Sequence, residues 1–167
     1  MITPAFGLTA TERVLPKLAL DFTTAVLDAR VTVTRTTNAT NPATYINSSG
    51  VITAAANNQP RFDYDPVTLL CKGLLIEEAR ANSLLNTDLL ATQSVTVTAA
   101  VRTLSFYGTG TVTLSGTHTA VVSGTGAYPT RTTYSFTPSA GALTLTVTGT
   151  VQFAQLELGA FATSYIP

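Results

Sequence analysis

The chain has 167 residues, of which 45% are hydrophobic and only 11% charged, and its nine basic and nine acidic side chains cancel to a net charge of zero. This length fits one domain, or one domain with an N-terminal extension. The charge balance argues against a nucleic-acid-binding surface or an electrostatic membrane contact, and no apolar run approaches the roughly 18 residues of a membrane span. Threonine makes up about a fifth of the chain and favours strands over helices.

The N-terminal region predicts an extended arm followed by two short strands. Residues 1–17 have no sustained hydrophobic period and no secretory signal, so we expect synthesis in a cytoplasm and a buried, reduced thiol at Cys71, the only cysteine. From Leu18 to Phe22, and again from Val31 to Val33, apolar residues alternate with polar ones. This alternation predicts two strands around a turn at Asp28.

A hairpin is predicted between residues 45 and 53. Two short runs with strand character flank the sequence Ser48-Ser49-Gly50. A three-residue loop of this kind needs one position with positive φ, which Gly50 supplies.

The stretch from Pro60 to Leu85 contains four of the nine carboxylates. Its two prolines, at 60 and 66, favour extended backbone before each of them, so residues 61–65 predict a short strand. Phe62 and Tyr64 lie on one face of it, and Asp63 and Asp65 on the other. Two aspartates could bind a hard cation, but such sites usually gather six or more oxygens. We expect no metal here, and instead a local pair with Arg61 or a solvated edge.

Glu77 and Glu78 are the other two carboxylates of this stretch. Because they are adjacent, their side chains diverge, whereas the two carboxylates of a glycosidase converge at about 5 to 10 Å. We therefore expect no catalytic residues. One glutamate is predicted to point inward and pair with Arg61 or Arg80, since unpaired buried charge is costly, and the other to be solvated. Residues 75–90 predict a short helix or an irregular segment.

The tract after residue 93 predicts an all-β domain. Its apolar residues alternate strictly with threonine and serine, and glycine or proline separates the runs. Roughly seven such runs between Ser94 and Leu158 predict an antiparallel β-sandwich of the jelly-roll kind. The phase of the last run changes near Ala154, which predicts a β-bulge.

Charge is almost absent from this tract. From Thr103 to Pro167 the only formal charges are Arg131 and Glu157. Threonine-faced edges with so little charge risk edge-to-edge pairing, and an oligomer would bury them. His118 is predicted on a strand, as a surface or interface residue. Together with Tyr107 and Tyr128, on predicted loops or outer faces, it is a candidate glycan contact, with ordinary surface or subunit packing as the alternative.

Five segments carry a resemblance to a known family. They are LALDFTT, LDARVTVTRTTNAT, INSSGVITAAANNQPRFDYDP, GLLIEEARANSLL and QLELGAFATSYIP. Together they resemble a family of tailed-bacteriophage virion structural proteins, head or tail fibre proteins in which a carbohydrate-binding-module-like jelly roll follows the RFDYDP and GLLIEE motifs.

The resemblance implies a non-enzymatic virion component without cofactor, made in the host bacterial cytoplasm and forming a homotrimer bound to other capsid or tail proteins. A host-glycan-binding adhesin is the alternative. Two departures are visible: Val67 to Cys71 replace the usual glycine-containing turn after RFDYDP, and the sequence stops at Pro167, where relatives often continue into fibre domains. The second departure favours a compact decoration, cement or adaptor protein.

The sequence therefore predicts three parts of the chain: an N-terminal docking segment (1–60) with arm, short strands and hairpin, a clasp segment (61–92), and the jelly-roll core (93–167). We expect Phe62, Tyr64, Leu74, Leu75 and Ile76 to fasten the arm to the sandwich. The predicted charged and aromatic clasp residues are Arg61, Phe62, Asp63, Tyr64, Asp65, Glu77, Glu78 and Arg80.

Overall fold

The computed structural model describes residues 20–36 and 41–167. This part of the chain contains one 3₁₀ helix (Phe22–Thr24) and eleven β-strands. The strands are β1 (Thr44–Ile46), β2 (Ile52–Ala54), β3 (Phe62–Tyr64), β4 (Cys71–Leu74), β5 (Gln93–Val97), β6 (Arg102–Gly108), β7 (Thr111–Gly116), β8 (Ala120–Ser123), β9 (Gly126–Phe136), β10 (Gly141–Thr148) and β11 (Gln152–Leu158). Among these residues no helix is long and apolar enough to cross a membrane.

The last seven strands form an antiparallel β-sandwich. One sheet has the order β5-β10-β7-β8, the other the order β11-β6-β9, and every hydrogen-bonded neighbour is antiparallel. The predicted all-β class, the sandwich and its strand number are confirmed. The jelly-roll assignment remains a prediction.

The core lies between the two sheets and is built from the apolar side of each alternating run. Leu104 and Phe106 of β6 face Leu114 of β7 and Leu143 and Leu145 of β10 in one buried cluster, and all five are fully buried. Burial of one such side chain contributes roughly 1.5 to 3 kcal/mol. Alternation with period two therefore supplies most of this core, and Leu84 and Leu90, which precede β5, complete it.

A β-bulge interrupts β11, as the sequence predicts. The pairing of β11 with β6 shifts register between Gln152 and Gln155, and Phe153 has a φ of 47°. The extra residue changes which side chains face the core. Leu156 consequently points inward, while Gln155 and Glu157 lie on the opposite face of the sheet.

Two hairpins precede the sandwich. The β1-β2 hairpin has the predicted loop, and Gly50 has a φ of 75°. The β3-β4 hairpin turns at Asp65, whose side chain accepts the backbone N–H groups of Val67 and Thr68 at 2.9 and 2.8 Å. A hydrogen bond of 2.5 Å from the Tyr128 hydroxyl to the Gly50 carbonyl attaches the first hairpin to the sandwich.

The two strands predicted around Asp28 are wrong for the described residues. Residues 22–24 form the 3₁₀ helix, because the Asp21 carboxylate accepts the backbone N–H of Thr23 at 3.0 Å. Val31 and Val33 lie in a stretch without regular secondary structure or β-pairing. The apolar and polar residues do alternate here, but no described strand pairs with this stretch to form a β-ladder. Leu18 and the predicted arm (1–17) lie outside the described residues.

Residues 75–90 are irregular, which was one of the two predicted states. Part of this segment runs beside β11 and bonds to its backbone: Ser83 N to Leu156 O, Ala154 N to Thr87 O and Leu90 N to Val151 O, each at 2.9 Å. The edge of β11 is therefore covered, which removes unpaired backbone groups from the surface.

Candidate functional site: a polar clasp around the C-terminal segment

Arg61 and Glu77 form the centre of the site. Arg61 stands directly before β3 and Glu77 follows β4, and the two strands bring Arg61 Nη1 to 2.8 Å from Glu77 Oε2. Their side chains are only 11% and 17% exposed. Arg61 Nη1 also donates to the Thr44 carbonyl at 2.9 Å. The β3-β4 hairpin thereby fixes one end of the clasp segment against β1.

Glu77 also binds the C-terminal segment, defined as residues 159–167. Its Oε1 accepts the backbone N–H of Ser164 at 2.5 Å and its Oε2 the Ser164 hydroxyl at 2.7 Å. The Ser164 hydroxyl lies 3.0 Å from Arg61 Nη1 as well. One carboxylate thus joins an arginine and a serine that is 87 positions away in the sequence.

Arg80 holds the start of the same segment. Its guanidinium, 7% exposed, donates to the carbonyl oxygens of Leu158 and, at 3.1 Å, of Phe161, and lies 4.3 Å from the Phe161 ring centre. It pairs with Glu78 at 2.9 Å, whose side chain is 65% exposed. Of the adjacent glutamates, Glu77 is therefore the enclosed one and Glu78 the solvated one.

The two aspartates of RFDYDP do not share a site. Asp63 is buried, accepts the Ile46 N–H at 2.9 Å and pairs with Lys72 Nζ at 3.0 Å, whereas the expected local partner was Arg61. Asp65 caps its own turn, and the backbone N–H groups of that turn lower the pKa of Asp65. Among the described residues, no three His, Cys, Asp or Glu side chains are grouped to hold a metal ion.

The apolar residues expected to fasten the arm to the sandwich are not all packed. Phe62 and Tyr64 are half-buried, as are Leu74 and Leu75. Ile76 is 82% exposed, so its predicted packing role is wrong. Beyond Leu74 the chain leaves the β3-β4 ladder, and the alternation no longer decides which side chain points inward.

Glu157 is a central clasp residue that the sequence reasoning did not select. It is fully buried and accepts three hydrogen bonds: from the Thr163 N–H at 2.8 Å, the Thr163 hydroxyl at 2.7 Å and Gln155 Nε2 at 2.5 Å. Arg80 Nη1 lies 3.8 Å from its Oε2. A buried carboxylate needs such partners, because an unpaired one is strongly destabilising.

Arg131 binds Thr163 from the other side. Its Nη1 donates to the Thr163 carbonyl at 2.6 Å and its Nη2 to the Ser105 hydroxyl at 2.8 Å. Burial lowers the pKa of Arg131, while Glu157 and Glu77 favour its charged form. The sequence did contain a signal for these residues: Arg131 and Glu157 are the only formal charges after Thr103, which points to pairing in an otherwise neutral region.

Asn82 and Tyr165 complete the clasp. Asn82 Nδ2 donates to the Ile166 carbonyl at 2.8 Å, and its Oδ1 accepts the Leu156 N–H at 3.0 Å. The Tyr165 hydroxyl lies 2.6 Å from the Thr87 hydroxyl and donates to Asp88 at 2.8 Å, and burial raises the pKa of Tyr165. The C-terminal segment is therefore held at several successive residues.

The three candidate glycan contacts do not form one platform. Tyr107 is only 7% exposed, and its ring centre lies 5.2 Å from that of Tyr128, so its predicted open position is wrong. His118 lies in the β7-β8 turn and not on a strand. Its ring stacks on Phe136 at 4.5 Å and its Nε2 lies 3.1 Å from the Tyr134 hydroxyl.

Cys71 is a free thiol and is half-buried, less enclosed than expected. Its Sγ lies 3.5 Å from the Phe22 carbonyl oxygen. This contact ties the 3₁₀ helix to β4.

The chain was compared with known proteins at three levels. No family model matches it, and no curated protein and no solved structure is significantly similar to it.

Proposed function

We propose that this protein is a non-enzymatic structural component of a tailed-bacteriophage particle, a decoration, cement or fibre-adaptor protein. In this role it is made in the bacterial cytoplasm and forms a homotrimer that binds other capsid or tail proteins.

The observation that carries the proposal is the meeting of the motifs that resemble the virion family. Arg61 of RFDYDP, Glu77 of GLLIEE and Ser164 of ATSYIP are joined by hydrogen bonds of 2.5 to 3.0 Å. Segments separated by up to 103 positions thus form one polar cluster that closes the fold. A structural role explains why these residue types occur together, and it needs no substrate.

The state of the carboxylates supports the non-enzymatic reading. Glu77 and Glu157 are occupied by backbone and side-chain donors of the C-terminal segment. Glu78 is mostly exposed and paired with Arg80. A glycosidase needs one carboxyl group free to protonate a leaving group and a second facing it, and neither condition fits these residues.

The four-stranded sheet supports association between copies. Strands β5, β7, β8 and β10 contain no Asp, Glu, Lys or Arg, and β5 and β8 are the edges of their sheet. Such edges lack the charged residues that normally discourage pairing, and a neutral chain has little repulsion between copies.

The test is the position of the protein on purified particles. We expect the protein in the mass spectrum of washed virions, density for a trimer at repeated sites on the particle, and a trimer by light scattering. A strictly monomeric protein that is absent from washed virions would overturn the proposal.

A further inference from the structure

A cavity of about 220 Å³ lies where the two hairpins meet the outer face of the β11-β6-β9 sheet. Tyr45 and Ile46 of β1 line one side, and Tyr107 of β6 and Arg131 of β9 the other. Lys72 of β4 also lines it, and because the Lys72 side chain is 58% exposed, the cavity is open to solvent there.

Most polar groups around this cavity are already bonded within the clasp, but three are not fully used: the Tyr107 hydroxyl, Lys72 Nζ and Arg131 Nε, which is buried without a hydrogen-bond partner among the described residues. In the described part of the chain the Tyr107 hydroxyl has no hydrogen bond, although Tyr107 is only 7% exposed. Lys72 Nζ has three N–H donors, of which the bond to Asp63 uses one. The Tyr107 hydroxyl is therefore free to bond a partner inside the cavity.

Tyr107, Arg131, Asp63 and Lys72 all line this cavity. Burial raises the pKa of Tyr107, which keeps its hydroxyl protonated and able to donate. Asp63 Oδ2 and Lys72 Nζ, 3.0 Å apart, present an acceptor and a donor side by side.

The lining selects the chemical class of ligand. Two neighbouring hydroxyl groups, each both donor and acceptor, match the Lys72–Asp63 pair and the Tyr107 hydroxyl. Aromatic and aliphatic side chains, Tyr45 and Ile46 among them, suit the C–H face of a ring. The cations and anions of the lining, Lys72 and Arg131 against Asp63 and Glu77, cancel, which favours a neutral ligand.

We infer that this cavity binds one neutral sugar residue, or a cyclic polyol of the same size, through the Tyr107 hydroxyl and the Lys72–Asp63 pair. Its volume lies below the roughly 300 to 1,000 Å³ of drug-sized sites, which suits one ring and not an oligosaccharide. The inference goes beyond the structural role proposed above and does not depend on it.

The experiment titrates the full-length protein with the methyl glycosides of glucose, galactose and mannose and with myo-inositol. The amide NMR signals of the protein report binding. We expect saturable shifts at cavity residues with at least one of these probes. Tyr107→Phe should weaken that binding about 3- to 10-fold, the effect of one hydrogen bond. It should not lower the melting temperature, because the hydroxyl bonds to no described residue.

Tyr134→Phe is the matched control. It also removes one phenolic oxygen, but that oxygen faces His118 at 3.1 Å in the other ring cluster, so binding should be unchanged. Lys72→Met gives a second test and should weaken binding further than Tyr107→Phe. Absence of saturable shifts with every probe, or equal affinity of wild type and Tyr107→Phe, would overturn the inference and leave a cavity that holds only water. Neither result bears on the particle role, which is tested on virions.

Discussion

The sequence gives both sheets of the sandwich a hydroxyl-rich outer face. In the structure, one of these faces is exposed and the other is buried. On the four-stranded sheet, Ser94, Thr96 and Thr146 are exposed. On the three-stranded sheet, Thr103 and Ser105 are fully buried, and the face also contains Gln155 and Glu157, buried to the same degree. The difference is the clasp: the hairpins and the C-terminal segment cover one face and leave the other open.

The comparison shows that alternation identifies the face opposite the core but not its environment. A covered polar face must satisfy its donors and acceptors within the protein. On the three-stranded sheet Glu157 accepts the Thr163 N–H and Arg131 donates to the Thr163 carbonyl, while Arg131 Nε is buried without a partner among the described residues. On an open face, water satisfies the donors and acceptors. Substitutions on the covered face should therefore lower stability strongly, and substitutions on the open face only slightly.

The largest effect is expected for Glu157→Ala. This change removes a fully buried carboxylate, leaves the N–H and hydroxyl of Thr163 without an acceptor, and removes a negative charge beside Arg80 and Arg131. We expect a loss of about 3 to 5 kcal/mol in the free energy of unfolding, as for other broken buried pairs, measured by urea denaturation. A loss below about 1 kcal/mol would mean that the covered face does not depend on this carboxylate.

Glu77→Ala and Glu78→Ala form a matched pair with the next largest effect. Glu77 is mostly enclosed and holds Arg61 and Ser164, so its removal should lower stability by about 2 to 4 kcal/mol. Glu78 is 65% exposed, and its removal should cost no more than about 1 kcal/mol. Thermal melts of both variants beside wild type measure the difference. Equal losses would contradict the assignment of Glu77 as the enclosed member.

A pH-dependent loss of stability is expected from Tyr165. Burial raises its pKa in the folded state, so above the unfolded-state value of about 10 the unfolded chain releases the proton first. The stability that the raised pKa of Tyr165 contributes is complete below a pH of about 10, and it declines as the pH rises further through the folded-state pKa. The test compares wild type with Tyr165→Phe. The melting temperature of each is measured at neutral pH and at a pH above the unfolded-state pKa. The variant should lose less stability on going to high pH, and an identical decline would exclude Tyr165 as a cause.

The smallest effect is expected for Thr146→Ala on the open face. Thr146 is exposed, and its cross-strand neighbour is Thr113 of β7. A change away from caps, cores and buried bonds usually stays within about 0.5 kcal/mol, measured by the same urea denaturation. A loss as large as that of Glu157→Ala would show that the two faces do not differ in the way the clasp implies.

Much of the fold was predictable because its determinants are local. The seven sandwich strands, the bulge of β11 and the hairpin at Gly50 each depend on residues within a few positions of one another. The strands predicted around Asp28 failed because a strand also needs a partner, and none pairs with residues 20–36. His118 was misplaced for a local reason, since the run around it ends at Gly116 and turns.

The candidate site was only partly predictable. The density of charge in residues 61–80 predicted a polar cluster there, and the structure brings Arg61 and Glu77 together. Their partner Ser164 lies in the QLELGAFATSYIP segment that carries the resemblance, but no local pattern in that segment singles out this serine as the residue that binds Glu77. Glu157 could have been selected by its isolation in a neutral tract.

The sequence by itself determined the class of fold, the number of sandwich strands and which side of each strand is apolar. Those features follow from alternation and turn residues, which act over a few positions. The tertiary structure alone decided which polar face is buried, which glutamate is enclosed and where the C-terminal segment lies. Those outcomes depend on contacts between residues 87 to 121 positions apart, such as Glu77 with Ser164 and Thr44 with Tyr165. No local pattern encodes such contacts, because each partner satisfies its hydrogen bonds only after the two hairpins and the sandwich have come together.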